Sequence, residues 1–224
     1  MRITSQKMLR KKQAHKIMKW DVKMQKIEEY NPFLKKWKKG LKKIALVYPN
    51  KYKSGISNIG LQYIYAKINS LEKYICERFY LDVYDGIKSF ETGTELKKFD
   101  IAFFSLQFEE DYFKAVEILK KSKFEGTKIA GGPCIMENPL PLLEYFDAFF
   151  IGEIENSIED ILEAALNKDF GGIDGIYTGK ERKVKRKFPK RLNEYLKMQI
   201  FGEGAYGKSI LLEVGRGCTG LCKF

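Results

Sequence analysis

Between residues 44 and 179 the hydrophobic positions fall in short unbroken runs, separated by longer stretches with helical spacing. Ile44 to Tyr48, Arg78 to Tyr84, Asp100 to Leu106, Thr127 to Ala130, Ala148 to Ile151 and Ile173 to Thr178 read as six strands. Short apolar runs bounded by turn signals suit strands buried on both faces. Between them the spacing predicts helices over about 59–70, 110–121, 140–145 and 156–167. Strands alternating with amphipathic helices define an α/β fold, here a doubly wound, mostly parallel sheet of the Rossmann or flavodoxin-like kind.

The two ends carry different patterns. Ile17, Trp20, Met24 and Ile27 recur at helical spacing with Lys16, Lys19, Lys23 and Lys26 on other faces, which predicts a basic amphipathic helix from about Ser5 to Glu29. Asn31-Pro32 ends it, because a residue before proline is pushed out of the α region. At the other end Ser209 to Val214 reads as one more strand, which breaks at Gly215-Arg216-Gly217 into a loop with Cys218 and Cys222. The chain thus divides into a helical head (1–43), an α/β domain (44–179), a basic hairpin and linker (180–208) and the start of a further domain (209–224).

Charge sharpens that division. The net charge of +12 belongs to two segments: residues 1–43 hold 15 Lys/Arg against three acidic residues, and residues 180–191 hold eight against one. The lysine-rich head with Trp20 and Trp37 is either a solvated helix face packed on the domain or, with 180–191, a surface for RNA phosphates. No apolar run approaches the ~20 residues of a membrane span, and the basic start lacks the apolar core of a signal peptide. The expected location is the cytoplasm.

Four cysteines at 76, 134, 218 and 222 do not form a disulfide framework. Cys76, beside a predicted strand, reads as a buried thiol. His15 is the one histidine, no G-x-S-x-G or P-loop occurs, and no G-x-G-x-x-G follows a strand within 44–179, so a hydrolase triad and nucleotide-phosphate loops in that domain are disfavoured. Glu109, Glu110 and Asp111 read as charges favoured at a helix start. In parallel sheets ligands sit beyond the carboxyl ends of the strands. That rule selects Asn50, Ser54 and Gly55 after the first strand, Ser105 and Gln107 after the third, Gly131, Gly132, Pro133 and Cys134 after the fourth, and Gly152 and Glu153 after the fifth. The alternative for Gly131 and Gly132 is a plain strand-to-helix turn.

Taken together, residues 44–224 resemble the N-terminal half of a radical SAM protein with a cobalamin-binding-like domain ahead of its barrel. The resemblance rests on Ala45 to Asn50 with Gly55 to Gly60, Ser105 to Gln107, Ile129 to Pro133, Asp147 to Glu153 with Glu155, and Arg216-Gly-Cys218. It implies that Cys218 and Cys222 ligate two irons of a [4Fe–4S] cluster, with S-adenosylmethionine on the fourth iron and Phe224 beside its adenine. It implies generation of a 5′-deoxyadenosyl radical and supplies no substrate. For the α/β domain it leaves two options: a cobalamin site, or a structural domain that holds no cofactor. With Asn50-Lys-Tyr-Lys-Ser-Gly55 after the first strand and no histidine in the domain, a histidine ligand to cobalt is excluded.

By the resemblance, the third cysteine of Cys-x3-Cys-x2-Cys would fall one position past Phe224. Two thiolates do not complete a three-cysteine site. The remainder of the barrel is therefore expected elsewhere, in longer or separate sequence, and the final ten residues are expected to pack poorly. The alternative is a binding module for a cofactor or RNA without catalysis. Anaerobic reconstitution with iron, sulfide and S-adenosylmethionine should give no stable cluster and no cleavage on this chain; a stable, cleaving cluster would contradict the expectation.

Overall fold

A computed structural model of the protein describes residues 17–22, 25–180, 183–188 and 197–217. Its centre is a six-stranded sheet of β3 (Lys42–Tyr48), β4 (Tyr74–Tyr80), β5 (Ile101–Ser105), β6 (Thr127–Gly131), β7 (Ala148–Phe150) and β8 (Ile176–Tyr177), in the order β4-β3-β5-β6-β7-β8. All pairings are parallel except β7 with β8. The chain order is that of flavodoxin-like sheets, and the switch in direction falls between β3 and β5.

Alternation along each strand fills both faces. Ile44, Leu46, Phe103, Ile129 and Phe150 join one apolar cluster with helices α2 (Ile59–Ser70) and α5 (Ile158–Asn167). Ala45, Val47, Phe104, Ala130 and Phe149 join the other with α3 (Glu110–Ser122) and Phe146. Both faces are dry, which is why these strands read as unbroken apolar runs. Asn58 caps α2 by accepting the Leu61 N–H at 2.9 Å. Two short helices, α1 (Tyr52–Ile56) and α4 (Pro133–Glu137), follow β3 and β6.

Several expected elements shift. β4 begins at Tyr74 and not at Arg78; its seven residues are all buried, and Glu77-Arg78 in the middle hid it from an apolar pattern. The helix expected near 140–145 is instead α4 followed by a single 3-10 turn at Leu140–Leu142. Ser209 to Val214 lies in irregular backbone, and no described strand pairs with it. Its one main-chain partner of note is a side chain: the Gln199 amide donates to Leu211 O (2.7 Å) and accepts from Leu211 N–H (3.0 Å). In the described part of 180–208 the hairpin is β9 (Glu203–Gly204) with β10 (Gly207–Lys208), and Lys187 bridges to Gly152.

The largest correction concerns the head. β1 (Ile17–Val22) and β2 (Gln25–Tyr30) form an antiparallel hairpin where helical spacing predicted a helix; residues 1–16 lie outside the described residues. In that register Trp20 pairs with Ile27, a separation that a helix also makes plausible. β-branched and aromatic residues dominate both strands' apolar positions, which favours the pleated alternative. Tertiary partners decide it. Tyr30 exchanges main-chain hydrogen bonds with Phe201 (2.8 and 3.0 Å), and Glu29 enters the core.

Glu29 meets Arg78 there. Arg78 donates two bonds to Glu29 (3.0 and 2.7 Å), and its Nε and backbone N–H each donate to Glu91 at 2.6 Å. Tyr52 donates to Glu29 at 2.7 Å, and the guanidinium lies over the Tyr65 and Phe90 rings at 4.6 and 5.0 Å. One guanidinium faces two carboxylates in a dry site. Burial pushes the Glu91 carboxyl up to about 7, against the attraction of Arg78. Between its ordinary 4.5 and about 7, Glu91 therefore binds protons more readily in the folded than in the unfolded chain. Stability from this group is complete below about pH 4.5 and lost as pH rises to about 7, by up to about 3 kcal/mol. Chemical denaturation should show this decline in the native chain and a flatter profile in Glu91→Gln. Arg78→Met, which strands Glu29, should cost about 3–5 kcal/mol at pH 7.

Candidate functional site

The carboxyl ends of β3, β5, β6 and β7 open into a cavity of about 320 Å3. Its floor is apolar: Leu46, Phe103, Ile129 and Phe150 rise from the sheet, and Ile59, Leu61 and Ile64 of α2 face them. Such a slot excludes water and favours a flat, weakly polar group. Ser105, Gln107, Gly131, Gly132 and Pro133 line it as the strand-end rule predicts. Gln107 donates from its side chain to Ser105 Oγ at 3.0 Å.

The loop carrying Ser105 and Gln107 is held by Asp111, fully buried in the first turn of α3. Its Oδ2 accepts the N–H groups of Gln107 and Phe108 at 2.9 and 3.2 Å, and its Oδ1 the Asn50 amide at 3.4 Å. Asp111 stands in the first turn of α3, as expected, and its carboxylate also clamps the loop before it. Gly131 and Gly132 play separate parts. A Cβ on Gly131 would meet only Phe150 O and Cβ, at 3.7 and 3.8 Å, so hydrogen there keeps the cavity floor low. Gly132 has φ +107° and backs onto the main chain of Leu106, where a side chain has no room.

Four predicted residues lie elsewhere. Asn50 spends its side chain on Asp111 and on Lys51 N–H (2.8 Å). Gly55 sits in α1 against the Tyr80 ring, and Ser54 beside it is absent from the cavity wall. The first-strand loop serves packing because α1 turns it toward β4. Cys134 is buried among Leu106 and Ile135, its thiol pushed up by burial, and does not reach the cavity. Cys76 is the buried thiol expected. Cys218, Cys222 and Phe224 lie outside the described residues.

The rim holds what sequence reasoning did not assemble. Arg216 donates a fork to Glu213 (2.6 and 2.9 Å) and two further bonds from one nitrogen to Glu155 (2.6 Å) and Glu153 (3.0 Å). Arg186 adds an ion pair to Glu153 at 3.6 Å. Glu153, Glu155, Glu213 and Arg216 all line the cavity, and Arg186 does not. Burial raises the Glu155 carboxyl in spite of Arg216. Burial alone would lower Arg216, but bonds to Glu213 and Glu155 hold it above its ordinary value. Arg216, among the final ten residues expected to pack poorly, is anchored. Glu213 three residues before an arginine was the available signal; the partners 61 and 63 residues upstream were not.

In a flavodoxin-like sheet the strand ends are where such a slot is expected. A family model described as radical SAM proteins, N-terminal, matches residues 60–174, and the chain belongs to that family. It is 41% identical over 194 residues to uncharacterized protein MJ0966 of Methanocaldococcus jannaschii, covering 83% of this chain and 41% of that protein. The chain thus spans well under half the length of that relative. Two structures of the cobalamin-dependent S-adenosylmethionine radical enzyme OxsB align over 69% and 71% of this chain and 23% of theirs. One has aqua-cobalamin bound (TM-score 0.46, 16% identity) and the other is the apo form (TM-score 0.48, 17% identity).

The two glycines should separate in mutagenesis. Gly131→Ala should leave thermal stability within about 0.5 kcal/mol, whereas Gly132→Ala should cost about 2 kcal/mol or more. Equal effects would contradict the geometry.

Proposed function

We propose that this chain is the cofactor-holding front of a radical SAM enzyme, with the cavity taking the nucleotide end of a cobalamin-type cofactor. Cys218 and Cys222 then act as two ligands of a [4Fe–4S] cluster that also binds S-adenosylmethionine, with Phe224 near the adenine. The observation that carries the reading is Arg216. It is tied to Glu153 and Glu155 on the cavity rim, and it stands two residues before Cys218. The chain that leads to Cys218 is thereby tied to the cavity rim.

The fit is one of shape and polarity. At about 320 Å3 the slot lies at the small end of ligand pockets, right for a bicyclic aromatic base with part of its sugar and too small for a whole corrin. The low floor at Gly131 and the apolar walls suit a flat ring, and Ser105 offers a hydroxyl at the edge. The macrocycle would stay outside, at the rim. The reduced cluster supplies the electron that splits the sulfonium of S-adenosylmethionine. This chain's residues bind and orient: α2 and the sheet exclude water, Asp111 fixes the Ser105–Gln107 loop, and Arg216 holds the approach to Cys218.

Titration with hydroxocobalamin, followed by visible absorption and equilibrium dialysis, tests the reading. The expected result is saturable binding near one per chain, weakened at least tenfold by Gly131→Leu, which fills the slot. Absence of binding to the native chain would overturn the cofactor assignment and leave the domain structural.

A further inference from the structure

The Arg216 cluster ties two distant parts of the chain together at the cavity rim. Glu153 and Glu155 lie after β7, near a 3-10 turn at Ile154–Asn156, and both line the cavity. Glu213 and Arg216 belong to the irregular segment that leads to the cysteines, and both line the cavity as well. Glu155, with 5% of its side chain exposed, is the buried partner; Arg216 is 22% exposed and so sits at the boundary with solvent. A ligand that fills the slot must touch these groups or the atoms that position them.

We infer that Arg216 couples occupancy of the cavity to the order of the segment that leads to the cysteines, so that a ligand in the slot holds 211–217 in place more firmly. Three features of the segment support such a coupling. Among the described residues its main chain pairs with no strand, and its ties to the domain include Gln199 to Leu211 and Arg216 to Glu153 and Glu155. Ile210, Leu212 and Val214 are 71%, 63% and 90% exposed, so apolar burial contributes little to holding it. The charge-assisted bonds from Arg216 to the rim therefore dominate its attachment. Coupling of this kind is reciprocal: what stabilises the closed segment also stabilises the ligand.

The inference rests on the cofactor reading for the identity of the ligand, but its test does not need activity. Two readouts on the whole chain are suitable. The first is hydrogen exchange of peptides covering 209–217. The second is the rate of iodoacetamide labelling at Cys218 and Cys222, read by mass spectrometry against Cys76 and Cys134, which are buried and serve as internal controls. Arg216→Gln should speed exchange over 211–217 and labelling of the two tail cysteines about tenfold, with Cys76 and Cys134 unchanged. The pair Glu153→Gln with Glu155→Gln should do the same from the other side of the fastener, so that a folding defect in one variant cannot imitate the result. Added hydroxocobalamin should slow both readouts in the native chain and not in Arg216→Gln. Unchanged exchange and labelling in both variants would overturn the inference. If hydroxocobalamin does not bind while the variants still release the segment, the fastener stands and the cofactor reading falls. If it binds without slowing either readout, the coupling falls and the cofactor reading stands.

Discussion

A single buried guanidinium, that of Arg78, sets where three separate parts of the chain can lie. It stands at the centre of edge strand β4, takes Glu29 from the head hairpin on one side and Glu91 from the β4-to-β5 excursion on the other. Tyr65 of α2 and Phe90 wall it in. An arginine this deep is tolerable only with its bonds made, so the fold must bring both carboxylates to it or pay several kcal/mol for a stranded charge. The hairpin is thereby fixed to the sheet edge, and through Tyr30 and Phe201 so is the returning segment 199–205. That return places the strand-like run after Ser209 near the cavity.

Arg216 repeats the arrangement at the surface with a different outcome. Three carboxylates surround it, as two surround Arg78, but a fifth of its side chain remains in contact with water. Solvent lowers the cost of parting such a pair, so the same chemistry that locks the head makes the cysteine segment releasable. The difference between a permanent strut and a fastener is thus one of burial and not of residue type. Between them lies the cavity, whose apolar floor comes from the sheet's own alternation and needs no specialised residue beyond Gly131.

The sheet was legible because its strands are dry on both faces and so spell themselves as apolar runs; β3, β5, β6 and β7 fall within two residues of the pattern. β4 and the head were not, for one shared reason. The charges of Glu29, Glu77 and Arg78 look like solvent-facing positions until the partner 49 residues away is known. In the head, 3-4-3 spacing and strand alternation both accommodate Trp20 and Ile27, and only the contact with Arg78 and Phe201 separates them. Of the candidate ligand residues, Ser105, Gln107, Gly131, Gly132 and Pro133 line the cavity. Asn50, Ser54 and Gly55 do not, because α1 begins at Tyr52 and turns that loop onto Tyr80. The Arg216 cluster joins motifs that were each visible, Gly-Glu-x-Glu and Arg-Gly-Cys, but spacing along the chain does not reveal that they touch.

The central claim is that the slot beneath Arg216 is a binding site for the flat end of a cofactor. A crystal structure of the chain grown with hydroxocobalamin tests it most directly. The account requires an aromatic base between α2 and the sheet, resting on Gly131 with its sugar edge toward Ser105, and Arg216 still bonded to Glu155 above it. A slot holding only solvent, with the corrinoid bound elsewhere or not at all, would contradict the account.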